Sequence, residues 1–538
     1  MAFCNKKFIT SLLTLLGATQ MLIAQSQAPF SIRLEKHSPE AFPALQSFVW
    51  AQNGPEVLIL AGRTDGLHKR QPFAAFDQAG IQGKWWVWNP QNDSVWSYTP
   101  SGFPASISEQ LSSSNAQFVQ IADTLLISGG YAYSPTANAH TTFGYLSSVI
   151  VSKSIQAIKN GQSPLSYIQQ TADSRFKVTG GHMLSFNDEI ILAGGHLFDG
   201  SYNPMGPDHG PGFTQAYTNS VRHFQIQVSP QLTVTRFSSD YDSLLFHKRD
   251  YNALPLYMAD GTWQIGLFSG VFQYSADLPW TNLVTWTPQG WQEVAGFEQL
   301  LNQYHTAQIS LISTAKNRQY SLFFGGIGLY TTDANGNLVK DVNVPFVDHI
   351  SLVERGENNQ FSEYLMDTPM PARLGAAAAF IPASGLAHLG EGLKYDALPS
   401  QQETWIGTIV GGIESDQDNV FTSNNALSRS NAALYKVFIT PNAAANMRSI
   451  ESFNDWKLMA YTENQGESIV IQFQQPFSGK TVLRFFDETG KMLTLLQTQE
   501  QPSGRYEIKL ERQRISGQHC IVEVECGNSR ASRQIWLP

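Results

Sequence analysis

One phrase recurs six times along this chain: an apolar strand that ends in small residues, usually Gly-Gly, followed by a polar or aromatic loop. The copies are Val57–Gly62, Leu125–Gly130, Ile190–Gly195, Ile265–Gly270, Tyr320–Gly326 and Trp405–Gly412. Between final glycines the intervals are 68, 65, 75, 56 and 86 residues, each long enough for four strands with their loops. Self-similarity at such a period marks units that bury both faces only when they have neighbours. The glycines have a physical task. At the end of the second strand the backbone needs φ values that a Cβ disfavours, and adjacent units leave little room for a side chain.

The flanks repeat as well. A strand precedes each copy, at Ala44–Trp50, Ala116–Ile121, His182–Phe186, Tyr251–Tyr257, Thr306–Ile312 and Leu374–Phe380, and these read as the innermost strands. A third strand follows each glycine step: Lys84–Asn89, Ser148–Ser152, Ser220–Ile226, Asn282–Trp286, His349–Val353 and Ala432–Phe438. A fourth follows a turn, as in Asn89–Tyr98. With 42 Gly and 26 Pro among 538 residues, long helices are not expected. The reading is all-β: a six-bladed β-propeller over 30–441, closed by Phe30–Glu35 as the outer strand of the last blade, which removes an exposed edge. The strand-Gly-Gly units and the aromatic third strands with their Asn-Pro or Thr-Pro turns resemble kelch-repeat propellers, the galactose-oxidase-like fold. Ala61-Gly62 and Ser269-Gly270 depart from the Gly-Gly pattern.

Lys6 and Lys7 ahead of the apolar run Phe8–Ala24 predict a cleavable signal peptide over 1–24, with which Cys4 departs. No later stretch could span a membrane as a helix. An Ala-, Asn- and Ser-rich linker is expected over 442–457, then a small immunoglobulin-like β-sandwich of six strands over 458–538. Within it, Val482–Leu493, Gly504–Leu510 and Ile515–Val524 resemble the C-terminal sorting domains of the Bacteroidetes type IX (Por) secretion system, although that family's Tyr-Pro-Asn-Pro entry is missing. The resemblance implies the type IX secretion machinery as partner. It also implies export through the periplasm and a secreted or outer-membrane surface location. Cys520 and Cys526 share one strand, too far apart for a disulfide, and are expected as buried free thiols.

The 35 Lys+Arg against 44 Asp+Glu include no basic block, which excludes a nucleic-acid partner. No Gly-x-Ser-x-Gly elbow, His-Glu-x-x-His helix or phosphate loop occurs. The lack of Cys between Cys4 and Cys520 excludes the Cys-crosslinked Tyr radical of galactose-oxidase-like enzymes, and no cofactor is expected. Because chain direction alternates, the loops after the glycines and those entering the inner strands share one face. That face collects Arg63, His196, Asp208, His209 and Tyr274 from the former, with His182, Arg249, Asp250, His305 and Arg373 from the latter. Aromatics beside Arg, Asp and His suit a glycan-like or surface-protein ligand. The loop from His196 to His209 holds two His and two Asp, but its Gly and Pro are what any long surface loop needs, and no metal is expected. Arg249, Asp250 and Arg373 are expected together at the mouth of a central channel, where either Arg-Asp pairs stitch neighbouring blades or an anionic ligand completes the site. The functional reading is an exported binding module. The alternative is a carbohydrate-active enzyme, epimerase- or mutarotase-like, in which Arg249 or Arg373 holds a carboxylate.

Overall fold

The computed structural model describes residues 25–69, 75–202, 212–274, 276–287, 289–332, 338–420, 427–450, 458–463, 467–475, 479–487, 490–501, 504–512, 515, 519–526 and 529–536. The expected signal segment lies outside them. Strands make up 56% and helices 6%, so the chain is all-β, with many sheets and none closed into a barrel. Among the described residues no helix is long and apolar enough to cross a membrane.

Each repeat forms four antiparallel strands in the order of the chain. The first pairs Val49–Asn53, Glu56–Leu60, Trp85–Asn89 and Ser94–Tyr98; the third pairs His182–Phe186, Glu189–Ala193, Ser220–Gln227 and Thr233–Tyr241. The second strands are fully apolar because they are buried on both faces: Val57, Leu58, Ile59 and Leu60 are all inaccessible. The sixth unit takes its fourth strand from the start of the chain, Phe30–His37, paired over eight residues with Leu434–Pro441.

A residue of each unit adopts the left-handed conformation, two positions ahead of the inner strand in the first five units and inside the strand Arg373–Pro382 in the sixth: Ser47, Asn115, Gly180, Asp250, His305 and Ala377 have φ between 49° and 67°. Their backbones link unit to unit. Asn115 N–H donates to Ser47 at 3.3 Å, Gly180 to Asn115 at 3.2 Å, Asp250 to Gly180 at 2.8 Å, Ala377 to His305 at 2.6 Å and Ser47 to Ala377 at 3.0 Å. From the fourth unit to the fifth the link is a side chain, for Asn252 accepts from Thr306 N–H at 3.0 Å and donates to the Gln303 carbonyl. The last bond of the series joins the sixth unit to the first.

The glycine pairs face the same seam. Gly62, Gly130, Gly195 and Gly412 donate N–H to carbonyls of the following unit, at Ser113, Val178, Lys248 and Leu45, each within 2.9 Å. A Cβ on Gly129 would overlap the Val178 carbonyl, and one on Gly325 the Leu374 carbonyl. Ala61 and Ser269, the two departures, keep the left-handed φ with a side chain attached, and Ser269 Oγ donates to Gln299 at 2.7 Å.

Three expectations need correction. Val151-Ser152, read as the end of a strand, opens the helix Val151–Lys159, whose Val151, Ile155 and Ile158 pack with Leu58, Leu60 and Val87 of the first unit. Five residues of the expected linker form a strand: Asn446–Ile450 pairs with Phe361–Met366 at the outer edge of the fifth unit. Residues 451–457 lie outside the described set. Beyond them stand seven strands, not six, because Met459–Glu463 joins Ser468–Gln475 and Gly504–Glu511 in one sheet. The second sheet holds Gly479–Phe486, Met492–Gln501, His519–Cys526 and Ser529–Trp536. One apolar cluster, including Ile471, Phe485 and Val522, serves both sheets, and Cys520 and Cys526, neither in a disulfide, are buried in it.

The seam gives a stability prediction. Gly129→Ala should cost about 3 kcal/mol or more, from left-handed strain plus overlap with Val178. Ala61→Gly should stay within about 1 kcal/mol of the parent. Chemical denaturation of the two variants measures both, and equal effects would contradict the assignment of the glycines to the seam.

Candidate functional site

The left-handed series sets the site. The residue before each of its members bridges to the residue after the glycine step: Gln46 to Arg63, Ser114 to Tyr131, Thr179 to His196, Arg249 to Val271, Tyr304 to Ile327 and Ala376 to Ile413. Arg63, His196, Arg249, Asp250 and His305 therefore sit at one end of the units. Two hairpins rise beside them from the loops after the glycines of the second and third units. One is Tyr131–Ser134 with Ala139–Thr142, the other His196–Gly200 with Phe213–Tyr217. They hold each other through Thr142 Oγ1, which donates to the Phe198 carbonyl at 2.6 Å and accepts from its N–H at 2.9 Å. Rings fill the space between them: Tyr131 and Phe198 meet edge-on at 5.2 Å, Phe198 stacks on Phe213 at 5.0 Å, and Tyr202 meets His68 at 4.5 Å.

Arg249 lies at the foot of this wall. Its Nε donates to the Tyr217 hydroxyl at 3.0 Å, its Nη1 meets Asp250 at 3.3 Å, and its guanidinium lies 5.1 Å from the centre of the Phe272 ring. Both partners of the ion pair are largely buried, with side-chain exposures of 14% and 17%. Burial opposes the arginine charge. The Tyr217 phenol and the Asp250 carboxylate more than offset this, and the pKa of Arg249 is raised. Asp250 also accepts from Asn115 Nδ2 at 3.5 Å, so its carboxylate ties the fourth unit to the second, while Arg249 ties the fourth to the third through Tyr217.

The imidazoles of this end are held neutral. Burial pushes His68 and His182 down to about 4, assisted by the Arg249 charge at His68 and by His305 at His182. His196 is depressed by burial and then by Arg249, and His305 by burial. Their polar atoms are committed as well: His182 Nε2 donates to the Tyr251 carbonyl at 2.6 Å, and His196 Nδ1 lies 2.8 Å from Gln215 Nε2.

The candidates thus divide. Arg249, Asp250, His182, His196 and His305 converge around the left-handed series. Arg63 is 3% exposed and forked onto Asp65 at 2.7 and 2.6 Å, which makes it a strut of its own loop. Tyr274 is 57% exposed at the rim, stacked at 3.8 Å on His247, which in turn stacks on Tyr217 at 3.9 Å. Asp208 and His209 lie outside the described residues. Arg373 does not join Arg249. A bulge at Gly375 gives the Arg249 position in the sixth unit to Ala376, and Arg373, 41% exposed, pairs with Asp418 instead. It borders an open cavity of about 380 Å³ with Asp341, Asn343 and Asp416. Sequence reasoning missed Tyr217, His247 and Tyr304. His247 and Tyr304 each stand just ahead of an inner strand, a position that could have flagged them. Among the described residues no group of three His, Cys, Asp or Glu could hold a metal ion.

The sequence matches no protein-family model and no curated relative. One solved structure, "Structure of YjhT", aligns with 77% of this chain and 99% of its own at 13% identity and a TM-score of 0.42.

The depressed imidazoles give a pH prediction. A histidine neutral in the fold and ordinary when unfolded contributes its full stability above about 6.5, and loses it as pH falls through that value toward about 4. His182→Gln should therefore flatten the decline of Tm between pH 6.5 and 4. An imidazole resonance of His182 that titrates at its ordinary value would contradict this.

Proposed function

We propose that the chain is an exported six-bladed, kelch-like propeller acting as a binding module, with a polar, glycan-like ligand seated at the end of the units where Arg249 lies. The left-handed series supports the propeller reading, since its hydrogen bonds, with the Asn252 side chain completing the step from the fourth repeat to the fifth, run from repeat to repeat and return from Ala377 to Ser47. The observation that carries the binding reading is convergence: Arg249, Tyr217 and Asp250 meet within 3.3 Å beneath an aromatic wall contributed by neighbouring repeats. Aromatic faces beside fixed hydrogen-bonding groups are what sugar rings require, with C–H groups on one side and hydroxyls at the edge.

A binding role is preferred over catalysis because two of the proton-transfer candidates are already committed. Asp250 is bound to Arg249 and Asn115, and His182 to the Tyr251 carbonyl. A general base needs a lone pair within reach of substrate. The second reading, an epimerase- or mutarotase-like carbohydrate enzyme, is favoured by one contact, the Arg249–Asp250 pair itself, which could hold a substrate carboxylate beside an acid.

For delivery, we assign the seven-strand C-terminal unit to an immunoglobulin-like sorting domain of the type IX system, preceded by a signal peptide over 1–24. Passage through the periplasm then leads to release or surface attachment. Because Asn446–Ile450 is built into the fifth unit's sheet, removal of the sorting domain should cut beyond Ile450.

Two measurements test this. A glycan-binding screen of the intact protein, followed by NMR observation of anomer and epimer exchange, should show binding without turnover. Turnover of any sugar establishes the second reading in its place. In the same assay Arg373→Ala should leave binding unchanged, since its half-exposed ion pair is worth at most about 1 kcal/mol. Mass spectrometry of the extracellular protein should find an N-terminus near Gln25 and a C-terminus between 451 and 457. An intact C-terminus would remove the sorting assignment.

A further inference from the structure

We infer that the ligand of this site is a neutral saccharide rather than an acidic one. The inference rests on the binding reading above and narrows it. Three cations of this end each face a carboxylate of the protein, and Lys248 beside Arg249 is fully buried on the Ser269 carbonyl and Asn282 Oδ1. Arg249 faces Asp250 at 3.3 Å, Arg63 is forked onto Asp65 at 2.6 Å, and Lys177 meets Asp199 at 2.6 Å at the foot of the two hairpins. The imidazoles add no positive charge near neutrality, because burial holds each of them below its ordinary value. Among the described residues, Lys69, next to His68, and Asp277, a few positions after Tyr274, are exposed and of opposite sign.

An acidic sugar entering such a site would have to displace Asp250 from Arg249 and leave that carboxylate buried and uncompensated. Breaking a buried pair in this way is strongly unfavourable. Charge complementarity of the kind that recognises carboxylates needs an open fork, and Arg249 presents one already occupied on two sides. A neutral ring pays no such cost. It meets the Tyr274 ring, 57% exposed and held flat by its 3.8 Å stack on His247 and by its hydroxyl on the Ser243 carbonyl at 2.8 Å. Tyr274, His247 and Tyr217 form a continuous stack leading down to Arg249.

The test is titration calorimetry of the full chain with neutral hexose oligosaccharides and with matched hexuronate and sialylated ones. Neutral oligosaccharides should bind, with an affinity that changes less than about twofold between about 0.05 and 0.5 M NaCl. Tyr274→Ala should weaken that binding about tenfold with Tm unchanged, because the side chain is mostly exposed. Asp250→Asn, which frees the Arg249 charge, should shift preference toward the acidic set. Preference of the parent protein for the acidic set, with steep salt dependence, overturns the inference and leaves the binding reading standing. Binding of neutral sugars that Tyr274→Ala leaves intact also overturns it, by removing the platform. Binding of neither set refutes the binding reading itself.

Discussion

Six residues held in a left-handed conformation govern this molecule. For Ser47, Asn115, Asp250, His305 and Ala377, which carry a Cβ, that conformation costs of order 1–2 kcal/mol each. At Ser47, Asn115, Asp250 and Ala377 it persists because it turns the N–H toward the neighbouring repeat, while into the fifth unit the Asn252 side chain makes the link instead. The cost is local and the return is not, since Ser47 finds its partner in Ala377, at the far end of the repeats. The glycine steps follow from the same seam. With the units held this close, the next carbonyl occupies the space a side chain would need at Gly129 and Gly325.

The site is a by-product of that packing. Placing the residue before each left-handed position opposite the residue after each glycine step brings Arg249 beneath Tyr217 and beside the hairpin that starts at His196. The second and third repeats grow an interlocked pair of hairpins, so an arrangement that repeats in backbone becomes one-sided in chemistry. Burial does the rest, by keeping the imidazoles neutral and the arginine paired.

What the sequence made legible was what is local. His182–Phe186 emerges as the strand read from its alternation, and the glycine steps mark the second strands within a residue or two, because both signals lie within a few positions. Signals that depend on register or on distant partners were lost. The Gly375 bulge moved Arg373 off the position its spacing suggested. The apolar 3.6-residue stripe Val151, Ile155 and Ile158 was masked by the strand that runs directly into it. The Asn446–Ile450 strand has no visible period, since its pairing is supplied by Phe361–Met366. The stack of Tyr217, His247 and Tyr274 draws on one hairpin, an entry loop and the loop after Gly270, and no spacing in one chain reports such a meeting.

Amide hydrogen exchange tests the whole account most directly. If the six repeats are joined through the left-handed series, the amides of Ser47, Asn115, Gly180, Asp250 and Ala377 exchange slowly and at closely similar rates, because opening one link opens the set. Exchange of the Ser47 amide at the rate of an exposed loop, while the inner strands stay protected, would contradict it.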